Sequence, residues 1–303
     1  MTGSKDSKGN REMAVVPYTG HSDNIFALAW SPDGRVLASA GRDTQVHLWS
    51  PFFQYRYLVY EGHRGCVLCV AWSPDGEYVA SGDTDGTVHV WHAGSGETQV
   101  IYRGHQRFAR CLAWSSDGRM IASGGDYGDS TVQVWDARSG ACQHIHTGQF
   151  RVFAISWRAQ SDLLASASFN GGVQIWHEDT GEVQLTYRGH VGPVYATSWS
   201  PDGSSLLSAG EDATVHVWQA HNSQPLYVYR DHSFAVKTAA WSPNAELIAS
   251  GSDDSTVRLW QARDGKTVSV LNGHTSWVRA VAWSPDGRRL ASCSGKTMYV
   301  YEI

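Results

Sequence analysis

The chain has 303 residues, of which 42% are hydrophobic and 12% aromatic, and its formal net charge is −5. Because 29 Asp and Glu residues outnumber 24 Lys and Arg residues, the surface is not built to neutralise a phosphate backbone, which disfavours nonspecific nucleic-acid binding. The sequence has no run of about 18 apolar residues that is long enough to span a membrane. The 5 cysteines are an odd number, which disfavours a disulfide framework and fits a reducing compartment. We therefore predict a globular cytoplasmic protein that binds neither membranes nor nucleic acid.

The N-terminal end is polar over residues 1–12, which we predict to be a flexible tail without a signal peptide. Residues 13–18, MAVVPY, follow as a strand-like segment that stands before the first full repeat. The rest of the chain is dominated by internal repetition.

A Gly-His pair opens the repeat at Gly20-His21 and returns at intervals of about 42 residues up to Gly273-His274. Two copies are degenerate, Gly148-Gln149 and Asp231-His232. The first strand of every period ends in Trp, at Trp30, Trp72, Trp114, Trp157, Trp199, Trp241 and Trp283. The third strand ends in an aromatic residue, at Trp49, Trp91, Trp135, Trp176, Trp218, Trp260 and Tyr301.

The segments between these landmarks read as strands and tight turns. VHLW and VRLW alternate apolar and polar residues, as strands with two different faces do. SPDG turns join the first two strands in four repeats, whereas the fourth repeat has RAQSD instead. A unit of about 42 residues in four short strands cannot bury both faces of its own sheet, so neighbouring units must stack.

We therefore predict an all-β fold, a seven-bladed β-propeller with four antiparallel strands per blade, over residues 13–303. The last repeat ends at Ile303 without an outer strand. Residues 13–18 are predicted to complete this blade and so to remove an exposed sheet edge.

The GH, SPDG, LAS and TV-x-x-W elements resemble those of the WD-repeat family over residues 13–303, and their spelling looks like that of bacterial multi-repeat WD proteins. The resemblance implies a buried hydrogen-bonded tetrad of the Gly-His histidine, a second-strand Ser, the turn Asp and the third-strand Trp. The predicted structural tetrads are His21, Ser39, Asp43 and Trp49; His63, Ser81, Asp85 and Trp91; His105, Ser123, Asp129 and Trp135; His190, Ser208, Asp212 and Trp218; and His232, Ser250, Asp254 and Trp260. Asp, His and Ser also make up a hydrolase triad, but a nucleophile site occurs once and this set recurs, so we predict no catalytic residues and no enzyme activity.

Two blades depart from the tetrad. The fourth has Gln149 and Asn170 in place of His and Asp, an amide pair able to exchange donors and acceptors. The seventh keeps His274 but has no turn Asp and ends in Tyr301.

Three further patterns are interpreted as structural, so that no cofactor and no metal are predicted. Residues 294–297, SGKT, lack the first Gly and the helix of a phosphate loop. Cys66 and Cys69 are three residues apart on a strand and point to opposite faces. One third-strand position carries a histidine in three blades and Gln or Arg in others; these histidines are His47, His89 and His216.

The resemblance places partner contacts on the top face of the ring, at the start of each first strand and before each turn Asp. These positions are rich in aromatic residues and Arg, which are enriched at interface hot spots. The predicted partner-binding residues are Phe26, Arg42, Phe108, Arg110, Arg151, Phe153, Phe169, Tyr195, Glu211, Lys237, Asp253, Trp277 and Arg279. The alternative is that these side chains only line the channel or fill gaps between blades.

The resulting hypothesis is a monomeric, non-catalytic scaffold that binds a protein or peptide with acidic and apolar residues. One alternative is a propeller enzyme with Glu211 and Asp253 at the channel mouth. Another is a methyl-lysine or amine reader, with Phe169 and Tyr195 near Glu211. The aromatic connection SPFFQYRY at 50–57 is either a second contact patch on the opposite face or a cover for blade edges.

Overall fold

The computed structural model describes residues 15–53 and 55–303, and these form seven separate four-stranded antiparallel sheets. The innermost strands are Ile25–Trp30, Val67–Trp72, Ala109–Trp114, Val152–Trp157, Val194–Trp199, Val236–Trp241 and Val278–Trp283. The second strands are Leu37–Gly41, Tyr78–Asp83, Met120–Gly125, Leu163–Ser168, Ser205–Gly210, Leu247–Ser252 and Arg289–Ser294. The third strands are Val46–Ser50, Val88–His92, Val132–Asp136, Val173–His177, Val215–Gln219, Val257–Gln261 and Thr297–Glu302. The outer strands are Tyr55–Tyr60, Thr98–Tyr102, Cys142–His146, Val183–Tyr187, Pro225–Tyr229, Thr267–Leu271 and, for the seventh sheet, Val15–Tyr18.

The sheets stand side by side around a central axis, because each innermost strand packs against the innermost strands of the two neighbouring sheets. The innermost strand of the last sheet also contacts that of the first, which closes the ring. The predicted all-β propeller with seven four-stranded blades is confirmed, and blades 1 to 7 are numbered below from their innermost strands in chain order.

The ring closes through the N-terminal strand, as predicted. Val15–Tyr18 pairs antiparallel with the third strand of blade 7, in a register that sets Val15 opposite Tyr301 and Tyr18 opposite Met298. Residues 13 and 14 of the predicted strand, and the predicted tail at 1–12, lie outside the described residues.

The core lies between blades rather than within them. The indole of Trp30 donates its N–H to the Ala282 carbonyl oxygen of blade 7 at 3.0 Å, and the indole of Trp72 donates to Ala29 of blade 1 at 3.1 Å. The third-strand tryptophans are fully buried. Burial of such side chains supplies most of the stabilisation of a sheet that cannot cover its own faces.

A tyrosine that the sequence reading did not single out links each of several blades to the next. Tyr18, in the outer strand of blade 7, stacks on Trp49 of blade 1 with ring centroids 4.5 Å apart. Its hydroxyl donates to Nδ1 of His47 at 2.8 Å. The same stacking recurs, at 4.4 to 4.7 Å, in the pairs Tyr60–Trp91, Tyr102–Trp135, Tyr187–Trp218 and Tyr229–Trp260.

Among the described residues there is no helix with the length and hydrophobicity needed to span a membrane.

The closure of the ring can be tested at Tyr18. We expect Tyr18→Leu to lower the free energy of unfolding by about 1–3 kcal/mol, because it removes an aromatic stack and a partly buried hydrogen bond but keeps an apolar side chain. Chemical denaturation measures this change, and the matched control is Val268→Thr, at an exposed position of another outer strand. Equal stability of the Tyr18 and Val268 variants would contradict the assigned role of the stack.

Candidate functional site

The predicted tetrads form hydrogen-bonded chains between the loops and the sheets. In blade 3 the indole of Trp135 donates to Ser123 at 3.0 Å, Ser123 contacts Nε2 of His105 at 2.8 Å, and His105 donates from Nδ1 to Asp129 at 2.8 Å. Blade 5 repeats this chain in full. These groups are buried and hydrogen bonded to one another, as expected of structural groups.

Blades 1 and 6 lack the first link of the chain. Their histidines contact the expected Ser and Asp, but the indole nitrogens of Trp49 and Trp260 are buried without a hydrogen-bond partner among the described residues. Each of these indoles still stacks on a tyrosine of the preceding blade.

Blade 2 uses a different carboxylate from the predicted Asp85. His63 donates from Nδ1 to Asp83 at 2.7 Å, and Asp83 stands at the end of the second strand, where blades 1, 3 and 5 have Gly. From this buried position Asp83 also accepts the Thr87 hydroxyl at 2.8 Å and the Asp85 backbone N–H at 3.0 Å. Burial opposes ionisation, yet hydrogen bonds from His63 and Thr87 hold the pKa of Asp83 below its usual value. The prediction of Asp85 was wrong because a closer carboxylate with more donors was available.

The two departing blades make different hydrogen bonds at the tetrad positions, and the buried Tyr301 hydroxyl of blade 7 has no hydrogen-bond partner among the described residues. In blade 4, Gln149 accepts the Ser166 hydroxyl at 2.6 Å, while Asn170 accepts the Ser168 hydroxyl at 2.6 Å. In blade 7, His274 contacts Ser292 at 2.6 Å, and burial lowers the pKa of His274 to about 4.

A second histidine lies against the tetrad histidine in blades 1, 2 and 5. His47 stacks on His21, with ring centroids 3.8 Å apart, and the polar atoms of His47, His21 and Asp43 lie within 4.8 Å of one another. Both nitrogens of His47 already have partners, since Nδ1 accepts from Tyr18 and Nε2 donates to Gln45. Burial, together with the charge of the neighbouring tetrad histidine, lowers the pKa to about 4 in each of His47, His89 and His216. The arrangement fits neutral, hydrogen-bonded rings.

The side chains at the channel mouth come from a β-bulge that recurs near the start of every innermost strand. Each innermost strand has a register shift after its first residue, so the second residue, such as Phe26 between Ile25 and Ala27, is an extra residue in the ladder. A β-bulge of this kind re-aims a side chain. The seven bulged residues line one cavity of about 330 Å³ and are Phe26, Leu68, Arg110, Phe153, Tyr195, Lys237 and Arg279.

One of the three cations at the mouth is neutralised. Lys237 Nζ lies 3.5 Å from Glu211 and 3.3 Å from Asp253. It also lies 3.7 Å from the ring centroid of Tyr195, whose hydroxyl donates to Glu211 at 2.6 Å. Burial and the hydrogen bond to the Glu211 carboxylate raise the pKa of Tyr195 well above its usual value, so the phenol stays protonated.

The other two cations keep their charge available. Neither Arg110 nor Arg279 forms an ion pair within the described part of the chain. Arg110 lies over Phe153 at 5.8 Å and Arg279 over Trp277 at 4.8 Å. Burial lowers the pKa of Arg279, with the nearby charge of Arg110 adding to this and Asp253 opposing it. The two half-buried guanidinium groups therefore repel each other and attract anions.

An aromatic cluster beside the mouth surrounds another arginine of the chain. The Arg151 guanidinium lies 5.0 Å from the ring centroid of Phe169 and 5.3 Å from that of Phe153, and its Nε donates to Asp126 at 2.6 Å. Tyr127, from the longer turn of blade 3, lies on the same guanidinium at 6.0 Å. The rings in this cluster thus already face a cation of the protein.

The structure divides the predicted partner-binding residues into groups. Those that line the mouth are Phe26, Arg110, Phe153, Tyr195, Lys237 and Arg279. Glu211 and Asp253 flank Lys237, Trp277 covers Arg279, and Arg151 and Phe169 form the adjacent cluster. Arg42, with a solvent-exposed side chain 3.9 Å from Asp23, and Phe108 are not among the residues that line the cavity. Leu68, which occupies the same first-strand position as Phe26, lines the mouth although it is not in the predicted partner-binding set, and Tyr127 was missing from the prediction.

Comparison with known proteins gives a match to the family model described as WD domain, G-beta repeat. The matched segments are residues 13–50, 55–92, 96–136, 140–177, 181–219, 223–261 and 265–302. They follow the seven structural repeats.

Individual relatives match only short segments. A probable cytosolic iron-sulfur protein assembly protein CIAO1 homolog of Nematostella vectensis is 52% identical over 31 residues, 10% of each chain. Cell division cycle 20.5, cofactor of APC complex, of Arabidopsis thaliana is 44% identical over 39 residues, 13% of this chain and 9% of the relative. Coronin-7 of Rattus norvegicus is 53% identical over 32 residues, 11% of this chain and 4% of the relative. The matches span about a tenth or less of each relative.

The stacked histidine pairs predict acid sensitivity. A His pKa near 4 in the folded state, against about 6.5 in the unfolded chain, means that the unfolded state takes up protons first as the pH falls. The free energy of unfolding should therefore fall between about pH 6.5 and pH 4, by up to about 1.36 kcal/mol for each unit of pKa difference.

His47→Gln should flatten this dependence, because blade 3 already has Gln133 at the same position, where it accepts a hydrogen bond from Tyr102. Denaturation at a series of pH values measures the slope, with the exposed His221→Gln as the matched control. An unchanged slope in the His47 variant would contradict the assignment.

Proposed function

The chain belongs to the WD-repeat family, and from this premise we propose that it is a non-catalytic scaffold whose channel mouth binds an acidic, partly apolar peptide or loop of a partner protein. One observation carries the proposal: two half-buried guanidinium groups without ion-pair partners in the described structure, Arg110 and Arg279, stand among aromatic rings. Carboxylates are the complementary groups for such a site.

The geometry of the mouth also supports recognition of a side chain rather than of a flat surface. The cavity of about 330 Å³ can hold one or two side chains. Phe26, Leu68 and Phe153 supply its apolar part, and Trp277, which is 52% exposed, stands at its edge. Exposed aromatic and Arg residues around a concave centre are typical of interface hot spots.

The two alternative functions have less support from these contacts. In the amine reader, Phe169 and Tyr195 would need open ring faces, but Arg151 and Lys237 already lie over them. In the propeller enzyme, Glu211 and Asp253 would act together, but both carboxylates lie beside the Lys237 ammonium.

The names of the relatives place one in iron-sulfur protein assembly and one with the APC complex, and we propose by analogy only that this chain also works within an assembly. The bacterial affiliation, the cytoplasmic location and the monomeric state stay predictions, and the three relatives named above are eukaryotic.

Selection from a random peptide display library tests the proposed specificity. We expect the native protein to enrich peptides that combine Asp or Glu with aromatic or aliphatic residues, and the double variant Arg110→Gln, Arg279→Gln to lose this enrichment. Arg263→Gln is the matched control, because Arg263 has a highly exposed side chain in the connection between the third and outer strands of blade 6. Enrichment of basic peptides, or an unchanged peptide set in the double variant, would contradict the proposal.

A second variant separates the proposed scaffold from the amine reader. Glu211→Gln removes a carboxylate from Lys237 and so adds positive potential at the mouth. We expect it to raise the affinity for an enriched acidic peptide by about 2-fold to 10-fold, as measured by fluorescence anisotropy. An amine reader would instead lose affinity for its cationic ligand, and weaker binding of the acidic peptide would argue against the proposed charge balance.

A further inference from the structure

A groove between blades 1 and 2 lies at the opposite end of the strands from the channel mouth. The innermost strand of blade 1 runs from Ile25 beside the mouth to Trp30, and the turn that follows it forms one wall of the groove. The groove has a volume of about 370 Å³. Its walls include the apolar side chains of Pro32, Leu58 and Trp72.

Two carboxylates stand in this groove, Asp33 and Asp75. Hydrogen bonds from Ser31 and from the Arg35 backbone, acting against burial, hold the pKa of Asp33 below its usual value. The Arg35 side chain lies 3.9 Å from Asp33, but both side chains are largely exposed, and such a pair contributes little. The groove is therefore apolar and negatively charged, the reverse of the positively charged mouth.

In two grooves at equivalent places between other blades, an arginine of this chain lines the wall. Between blades 2 and 3, Arg138 lines the groove. Burial opposes ionisation of Asp75, but hydrogen bonds from Ser73 and the Glu77 backbone, with the Arg138 charge adding least, hold its pKa below the usual value. Between blades 4 and 5, the Arg158 guanidinium lies 5.6 Å from the ring centroid of Trp199. A first-strand tryptophan and an arginine thus meet in each of them.

The groove between blades 1 and 2 has the same tryptophan, Trp72, without either arginine. Gly94 stands where blade 3 has Arg138, two residues after the end of the third strand. Ser31 stands where blade 4 has Arg158, directly after the first-strand Trp. The acceptors of a guanidinium are present, and the chain places no guanidinium of its own at these two positions.

We propose that this groove binds an arginine side chain of a basic peptide segment in which the arginine is flanked by apolar residues. The guanidinium would stack on the Trp72 ring and donate hydrogen bonds toward Asp33 and Asp75. The flanking apolar residues would contact Pro32 and Leu58. This surface is distinct from the channel mouth, and it takes a ligand of opposite charge, so neither proposal depends on the other.

The indole N–H of Trp72, which donates to the Ala29 carbonyl oxygen at 3.1 Å, is a local reporter of binding. In ¹H–¹⁵N spectra of the full chain, the peptide acetyl-Gly-Leu-Arg-Leu-Gly-amide should shift the Trp72 indole signal. The same peptide with Glu in place of Arg should not. Absence of a Trp72 shift with the arginine peptide overturns the proposal.

Two substitutions change the groove and leave the fold intact. Asp33→Asn removes the charge and keeps the turn, because Asn244 of blade 6 accepts the same two hydrogen bonds, from Ser242 at 2.7 Å and from the Glu246 backbone at 3.1 Å. Gly94→Arg introduces the arginine of blade 3, and its Cβ would meet only the His92 side chain. Each should weaken binding of the arginine peptide by about 3-fold to 10-fold. Unchanged affinity in both variants overturns the proposal.

The reciprocal variant, Arg138→Gly, opens the neighbouring groove. It should add a shift at the Trp114 indole, which donates to Ala71 at 3.3 Å and lines that groove. A peptide-induced shift of the Trp114 indole signal in this variant supports the inference that these grooves bind an arginine side chain. Absence of the shift argues against that inference.

Discussion

Five of the seven blade junctions in the described ring depend on a stack between an outer-strand tyrosine and the third-strand tryptophan of the next blade. The stack joins the edge of one sheet to the buried centre of the following one, as Tyr60 does with Trp91. At the blade 3 to blade 4 junction His146 takes the tyrosine's place, 4.8 Å from Trp176. Because each sheet leaves apolar faces that only its neighbours can cover, the last junction must be made as well, and Tyr18 makes it.

The fold could be predicted from the sequence because its signals are periodic and mutually consistent. Seven first-strand tryptophans, alternating third strands and a surplus strand at the N-terminus all require the same ring. Local deviations could not be predicted in the same way. The choice of Asp83 over Asp85 depends on which carboxylate reaches His63 together with the most donors, and this is a property of the folded turn.

The residues of the candidate site were predicted, but the ion pairs among them were not. The sequence does not show that Glu211, Lys237 and Asp253 lie together. The folded ring brings them together, and the two carboxylates neutralise the Lys237 charge. Likewise, Phe169 is visible as an exposed aromatic, but the arginine that covers it depends on a side-chain conformation. The register, which the repeats do encode, places Leu68 at the same position as Phe26 and so on the same face.

The bulge in each innermost strand lets one side chain vary while its neighbours keep the hydrogen-bond ladder. A residue that is extra to the hydrogen-bond ladder has no required cross-strand partner, so its identity is released from the constraints that fix its neighbours. The seven positions have accordingly diverged to Phe, Leu, Arg, Tyr and Lys, while the adjoining ladder residues stay small or aliphatic. The ring thus presents seven variable side chains on a constant backbone frame, and under the proposed function substitution of those seven side chains alone would change what the mouth binds.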